Sequence, residues 1–308
     1  MRLVFAGTPA VAVPSLRALA AGPHEIAAVV TRSDAPLGRK RVLTPSPVAQ
    51  AAEELGIAVL KADRLDAEAT AQIAALEPAL GVIVAYGGLV REPLLSTPAH
   101  GWINLHFSLL PRWRGAAPVQ RALIAGDAVT GASVFQLVAA LDAGDVFAEE
   151  RYDIPAGATS AEVLDDLAVL GAPLLARVVD GIAAGTAVAA PQRGEPTLAP
   201  KLTLDDGALD LTRDAETLLH RIAGVTPEPG AHTTLEGARF KVLRAAIADA
   251  APTPPIPPGR VVASGKDVLV GTGSTPLRLE TVQPAGKGAM NAGDWFRGLR
   301  TSGPVLGA

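Results

Sequence analysis

Arg2-Leu-Val-Phe-Ala-Gly-Thr-Pro9 opens the chain and decides how the rest of it is read. Leu3 to Ala6 form an unbroken apolar run, the pattern of a strand covered on both faces, where alternation is lost. Gly7-Thr8-Pro9 breaks that strand, and apolar positions then recur at helical spacing over about residues 10–21. Strand, tight turn and helix make the first unit of a doubly wound α/β sheet. The G-x-G-x-x-G pattern of a dinucleotide site is absent from the turn.

Outward from this opening, strands at about 25–31 and 57–60 and the run Leu80-Gly-Val-Ile-Val-Ala85 alternate with helices at about 47–55 and 66–76. The alternation predicts an α/β fold with a Rossmann-like, mostly parallel sheet and ligands at the carboxyl ends of its strands. Thr31 to Pro45 interrupts it as a long loop holding Arg32, Arg39, Lys40 and Arg41 against the single acid Asp34. Runs of charge are usually solvated surface.

The next strand is Gly101-Trp-Ile-Asn104-Leu-His106-Phe-Ser108. Its spacing predicts a buried face and a second face that projects Asn104, His106 and Ser108. Pro111 ends it, and Arg112-Trp-Arg114 follows, loop chemistry suited to an anionic or planar partner. A lone Asn or His on such a strand is more often a satisfied polar group than a catalyst. A second element changes the balance: Asp142, in Leu141-Asp-Ala-Gly144-Asp145, lies in a turn between two strand-like runs at about 130–138 and 145–154. An amide to stabilise an oxyanion, an imidazole to move a proton and a carboxylate to orient it compose an acyl-transfer site. As a bare residue, Asp142 reads equally well as a turn former.

Bulk properties narrow the function classes. At 308 residues two domains are expected. The absence of cysteine excludes disulfides and thiolate metal sites, and the five histidines show no zinc-ligand spacing. A net charge of −4 argues against a nonspecific nucleic-acid binder, so any RNA contact must come from local basic patches. No apolar run reaches the roughly 18 residues of a membrane span, and no signal-peptide pattern is present, so a soluble cytoplasmic protein is expected.

The motif Asn104-x-His106-x-Ser108-Leu-Leu-Pro111, followed by Leu141-Asp142-x-Gly144-Asp145, resembles the signature of formyltransferases that use 10-formyltetrahydrofolate. Pro111-Arg-Trp-Arg-Gly-Ala-Ala-Pro118-x-Gln120-Arg121 narrows the likeness to the methionyl-tRNA formyltransferase family, and Phe5-Ala-Gly7-Thr8-Pro9 and Val84-Ala-Tyr86-Gly87 agree with it in order. The resemblance implies transfer of the formyl group to the α-amino group of methionyl initiator tRNA. Asn104 and a protonated His106 would stabilise the oxyanion, while Asp142 would keep His106 charged or accept the amine proton through water. It also implies that Tyr86, Gly87, Gly88 and Leu89 flank the pterin and that Ser108, Leu109, Leu110 and Pro111 contact the folate. The 31–45 loop matches the family's tRNA-wedging loop, so Arg39, Lys40 and Arg41, with Arg112 and Arg114, are the implied tRNA contacts. No metal is implied, and the protein is expected to be a monomer.

A helix at about 161–184, capped by Thr159-Ser160, closes the first domain, residues 1–185. Residues 186–203, rich in Gly and Pro, read as a linker. From 204 to 308, a short helix at 215–222 precedes strand-like runs at about 231–235, 238–247, 259–264, 267–271 and 276–283, the spacing of a small β-barrel. The resemblance makes this an OB-like tRNA-binding domain, although the family's usual Asn-Pro-Trp-Pro reads Thr226-Pro-Glu-Pro229 here. Rival readings are a formyltransferase for another amine, such as a purine precursor or an amino-sugar nucleotide, a 10-formyltetrahydrofolate hydrolase, and a non-catalytic RNA-binding protein.

Overall fold

A computed structural model describes residues 1–38, 40–249, 253–299 and 303–307, in two compact units. The first comprises Met1–Pro118, Val129–Asp153 and Leu164–Ala199. Its strands are β1 (Arg2–Gly7), β2 (Glu25–Thr31), the short β3 (Ala35–Leu37) and β4 (Val42–Thr44), β5 (Val59–Lys61), β6 (Leu80–Val84), β7 (Trp102–His106), β8 (Arg114–Gly115), β9 (Val129–Gln136), β10 (Val146–Asp153) and β11 (Leu198–Ala199). Seven of them form one sheet in the order β10-β9-β7-β6-β1-β2-β5, parallel from β7 to β5, with β9 and β10 antiparallel at one edge.

Parallel neighbours need crossover connections: the helices α1 (Val13–Ala20), α2 (Pro47–Glu54) and α3 (Ala67–Ala74) lie between successive strands from β1 to β6, and a segment with one 3₁₀ turn, Leu94–Ser96, joins β6 to β7. Their starts are set locally. Ser46 accepts the Ala49 N–H at 3.0 Å ahead of Pro47, and Asp66 accepts the Ala69 N–H at 3.0 Å. Residues 10–12 form a single 3₁₀ turn, so the first α-helix begins only at Val13. Every residue of β6 and all but the first of β1 are buried.

From β1 the chain winds outward through β2 and β5, then returns to place β6 and β7 on the other side of β1. That reversal opens a crevice at the carboxyl ends of β1 and β6, the position where ligands bind such sheets. Thr8 Oγ1 donates to the Tyr86 carbonyl across it at 3.2 Å.

Residues 31–45 differ from the loop expected of them. Ala35 pairs with Thr44, Pro36 with Leu43 and Leu37 with Val42, giving a hairpin whose turn begins at Gly38, in the left-handed region at φ 69°. Arg39 lies outside the described residues. The segment read as a linker is also structured up to Ala199: Ala190 pairs with Val146, and β11 runs parallel to β8.

The second unit comprises Val119–Ala128, Ile154–Val163 and Pro200–Ala308. The helices α4 (Pro118–Ile124) and α5 (Ser160–Ala183) both cross a unit boundary, and α6 (Ala215–Val225), with Asp214 accepting the Thr217 N–H, precedes the second sheet. Strands β12 (His232–Leu235), β13 (Ala238–Ile247), β14 (Val261–Ser264), β15 (Asp267–Val270) and β16 (Leu277–Pro284) form an antiparallel sheet ordered β12-β13-β16-β15-β14, and β17 (Met290–Asn291) pairs with β16. The chain end curls this sheet toward closure: Leu306 pairs with Leu235 on one edge strand, and Val305 pairs with Arg260 just before the other. A helix that the sequence reading leaves unassigned, α7 (Ala292–Arg297), buries Trp295 against Phe240 at 4.6 Å between ring centroids.

Candidate active site

Strand β7 carries Asn104 and His106 on one face, two residues and roughly 7 Å apart. The sequence pattern expected that face to project from the sheet. Instead His106 is 6% exposed and Ser108 fully buried, because β7 lies inside the sheet between β6 and β9. Only Asn104 is half-buried, and among the described residues its side-chain amide has no protein hydrogen-bond partner.

Burial dictates how the other polar groups are held. After Pro111 the chain turns back so that the Trp113 carbonyl lies 2.8 Å from His106 Nε2. A carbonyl only accepts, so Nε2 carries the proton. Nδ1 faces Asp142, whose Oδ2 is 4.0 Å away. Loss of water around the ring holds the His106 pKa below its ordinary 6.5, against the opposing pull of the Asp142 charge and the Trp113 carbonyl. That direction, with Nε2 bonded to the Trp113 carbonyl, favours a neutral ring whose lone pair is on Nδ1 over the standing imidazolium that the resemblance implied.

Asp142 occupies the left-handed region at φ 44°, a conformation Asp tolerates better than most residues. Its Oδ2 accepts the Gly115 N–H at 2.7 Å, which fixes the carboxylate in front of the imidazole. Gly115 needs to be glycine: its φ is 128°, and a Cβ there would stand 2.6 Å from the Ala199 carbonyl oxygen. That close approach comes from the β8–β11 pairing. Around it the Trp113 N–H donates to Thr197 Oγ1 at 2.9 Å and the Arg114 N–H to the Thr197 carbonyl at 2.8 Å.

The remaining sequence-derived residues fall into two groups. Tyr86 is a core strut whose hydroxyl donates to the Ala62 carbonyl at 2.6 Å, and burial pushes its pKa up against the lowering effect of Arg32. Ser108 donates to the Arg112 carbonyl at 2.6 Å, Leu110 and Pro111 are buried, and Leu109 packs over Gly131. Gly87, Leu89, Lys40, Arg41 and Arg112 are exposed, with Gly88 half-buried beside the Tyr86 ring. The Gly87 carbonyl accepts from Arg32 at 2.7 Å, and Arg112 lies 5.2 Å over the Trp113 ring. Arg114 is held by Gln192, with Nε and Nη2 donating to Oε1 at 3.1 and 2.6 Å.

Three contributors escaped the sequence reading: the Trp113 carbonyl, the Gly115 N–H and Gln192. The first two are backbone groups, which carry no side-chain signature. Gln192 sat in a stretch whose Pro and Gly content pointed to a linker. Among the described residues, no group of three or more His, Cys, Asp or Glu is placed to hold a metal ion, and no helix is long and apolar enough to cross a membrane.

Residues 1–179 match the formyl transferase family and residues 201–300 its C-terminal domain. A methionyl-tRNA formyltransferase of Clavibacter sepedonicus is 65% identical over 302 residues, 98% of each chain. Among solved structures, a sugar 3N-formyl transferase determined with dTDP and 5-N-formyl-THF superposes with a TM-score of 0.69 at 12% identity, over 93% of this chain and 98% of that one. A methionyl-tRNA formyltransferase from Clostridium thermocellum superposes with a TM-score of 0.58 at 14% identity, over 81% and 95%. At those identities the two structures speak for the fold alone.

Proposed function

Since this chain belongs to the formyl transferase family and, within it, to the methionyl-tRNA formyltransferases, we propose that it transfers the formyl group of 10-formyltetrahydrofolate to the α-amino group of methionyl initiator tRNA. The observation that carries the chemistry is a buried His106, its pKa lowered by desolvation, facing Asp142 and two residues along the strand from an Asn104 amide that no protein group engages among the described residues. The folate co-substrate supplies an activated formyl carbon. Asn104 supplies an N–H for the formyl oxygen as negative charge develops on it.

An α-amine with a pKa near roughly 8 must lose a proton to attack. Nδ1 of His106 is the base, the one ring nitrogen not committed to the Trp113 carbonyl. Asp142, held by Gly115, stabilises the imidazolium formed in that step, and the same proton is available to N10 as the carbon–nitrogen bond breaks. His106 thus enters the cycle neutral and is charged only during it. No covalent enzyme intermediate is required.

Asn104, His106 and Asp142 are the proposed catalytic residues. Folate recognition is assigned to the exposed turn Gly87-Gly88-Leu89, with Tyr86 anchoring it from beneath, and to the loop Ser108, Leu109, Leu110 and Pro111. Because the Ser108 hydroxyl is committed to Arg112, contact there falls to backbone and apolar groups. Lys40, Arg41 and Arg112 are the proposed tRNA phosphate contacts, joined by Arg39; Arg114 serves through its exposed edge while Gln192 holds its inner one. The 204–308 domain is proposed to bind tRNA, and the protein to act as a cytoplasmic monomer.

Transfer of labelled formyl from 10-formyltetrahydrofolate tests the reading, with initiator methionyl-tRNA, elongator methionyl-tRNA and free methionine as acceptors under one salt condition. Formylation of the initiator species alone is expected. Release of formate without an amide product would point to the hydrolase reading instead.

A further inference from the structure

Gln192 reaches the site from outside both catalytic motifs. Its Nε2 donates to the Asp142 carbonyl and to the Gly144 carbonyl, each at 2.8 Å, while Oε1 takes the two Arg114 donors. The amide orientation is unambiguous, since two carbonyls only accept and a guanidinium only donates. All four capacities of one side chain are thereby filled at the turn that presents Asp142.

Within the turn the backbone is otherwise tied by the Gln136 N–H to the Asp145 carbonyl at 2.8 Å and by a long 3.4 Å bond from the Ala143 N–H to the Ala140 carbonyl, neither of which engages the main chain of Asp142 itself. Asp142 stands at φ 44°, a conformation maintained only where the surroundings over-determine it. The Gly115 bond fixes the carboxylate end, and Gln192 fixes the main-chain end. Gly144 is compressed against the Gln136 carbonyl, so close that a Cβ would lie 1.7 Å from that oxygen, which leaves the turn one packing solution.

We propose that Gln192 is a positioning residue for the formyl-transfer reaction. It holds the Asp142 turn so that the carboxylate stays opposite His106 Nδ1, and it couples that turn to Arg114, a proposed tRNA contact. The inference rests on the assignment of His106 and Asp142 above. It explains why residues 190–199 fold back onto the first unit: the segment delivers Gln192.

Gln192→Glu is the discriminating variant. It keeps an acceptor for Arg114 but replaces both N–H donors with carboxylate oxygen facing two carbonyls. Displacement of a catalytic group by about 1 Å costs up to roughly 10²-fold, so kcat is expected to fall about 10- to 100-fold while the folate KM changes less than about threefold. In Gln192→Leu, which adds no charge, displacing the Asp142 carboxylate lowers the His106 pKa further, so the acidic limb of its kcat/KM profile is expected to shift to lower pH. Arg193→Ala is expected to leave kcat within about twofold.

Thermal melts identify variants that fail to fold, so that profiles are compared between folded proteins. A kcat for Gln192→Glu within twofold of the parent overturns the proposal. So does a Gln192→Leu variant whose kcat falls with an unmoved limb, which assigns Gln192 a purely structural role. Asp142→Asn is measured in parallel: parental turnover there would remove the catalytic assignment itself, whereas an inactive Asp142→Asn beside a fully active Gln192→Glu would remove only the role of Gln192.

Discussion

The pocket around His106 and the hairpin of β3 and β4 are both attributed to substrate handling, yet they are built in opposite ways. In the pocket, polar groups are tied to one another across the fold: His106 to Trp113 and to Asp142, Asp142 to Gly115, and Gln192 to Asp142 and Arg114. Among the described residues the hairpin's strands pair only with each other, and the hairpin exposes Leu37, Val42 and Leu43 at 66%, 59% and 67% and places Lys40 and Arg41 in solvent. Chemistry requires groups held rigidly and dry, where electrostatic interactions are strong. Binding a polyanion requires accessible charge and a surface whose order can be completed by the partner.

The contrast breaks first, if it breaks, at the pocket. His106→Ala should lower kcat about 10²- to 10⁴-fold, the usual worth of a positioned base, with initiator tRNA affinity retained in a filter-binding assay. Asn104→Ala should cost about 10²- to 10³-fold in kcat, the typical effect of losing one oxyanion donor. Retained turnover in either variant would take that residue out of the site.

Gly115→Ala sharpens the contrast by striking a backbone group. The new Cβ meets the Ala199 carbonyl at an unfavourable φ, so urea denaturation should show a loss of about 1–3 kcal/mol. Turnover should fall as well, because the Gly115 N–H is displaced from Asp142. A glycine in a solvent-facing turn, such as Gly157 with nothing near its Cβ position, provides the comparison.

At the hairpin, Lys40→Glu combined with Arg41→Glu should raise the KM for tRNA about tenfold at low salt, flatten its salt dependence and leave the folate KM unchanged. The pH dependence of stability separates the regions again. A buried His106 with a lowered pKa binds fewer protons folded than unfolded, so its neutral form is fully accommodated above about pH 6.5. Stability is lost as pH falls below 6.5 toward the folded-state value, and His106→Gln should remove that slope in melts followed by circular dichroism. Hairpin variants should leave it untouched. Leu43→Ser should be the smallest effect, within about 0.5 kcal/mol, because that side chain already meets water.

Legibility in the sequence followed the same division. The strands and helices of the first sheet could be read because their apolar periodicity is local, and the caps at Ser46 and Asp66 lie beside the helices they start. The hairpin was missed although its pairing is local: Gly38 marks a turn, but the three-residue strands on either side are too short to show alternation. Asn104, His106 and Asp142 could be named as a set because side chains of those types at that spacing carry a chemical signature. The protonation of His106 could not be read, since it depends on how much water the folded chain removes from around the ring.

The sequence by itself therefore determined the fold class and nominated the candidate side chains Asn104, His106 and Asp142, both of which rest on periodicity and residue chemistry. Tertiary structure alone decided that His106 is desolvated, that Asp142 is aimed by a backbone N–H, and that a stretch with the composition of a linker delivers Gln192. Those features arise where segments far apart in the chain meet in a desolvated space, and neither distance nor dielectric is written in local composition.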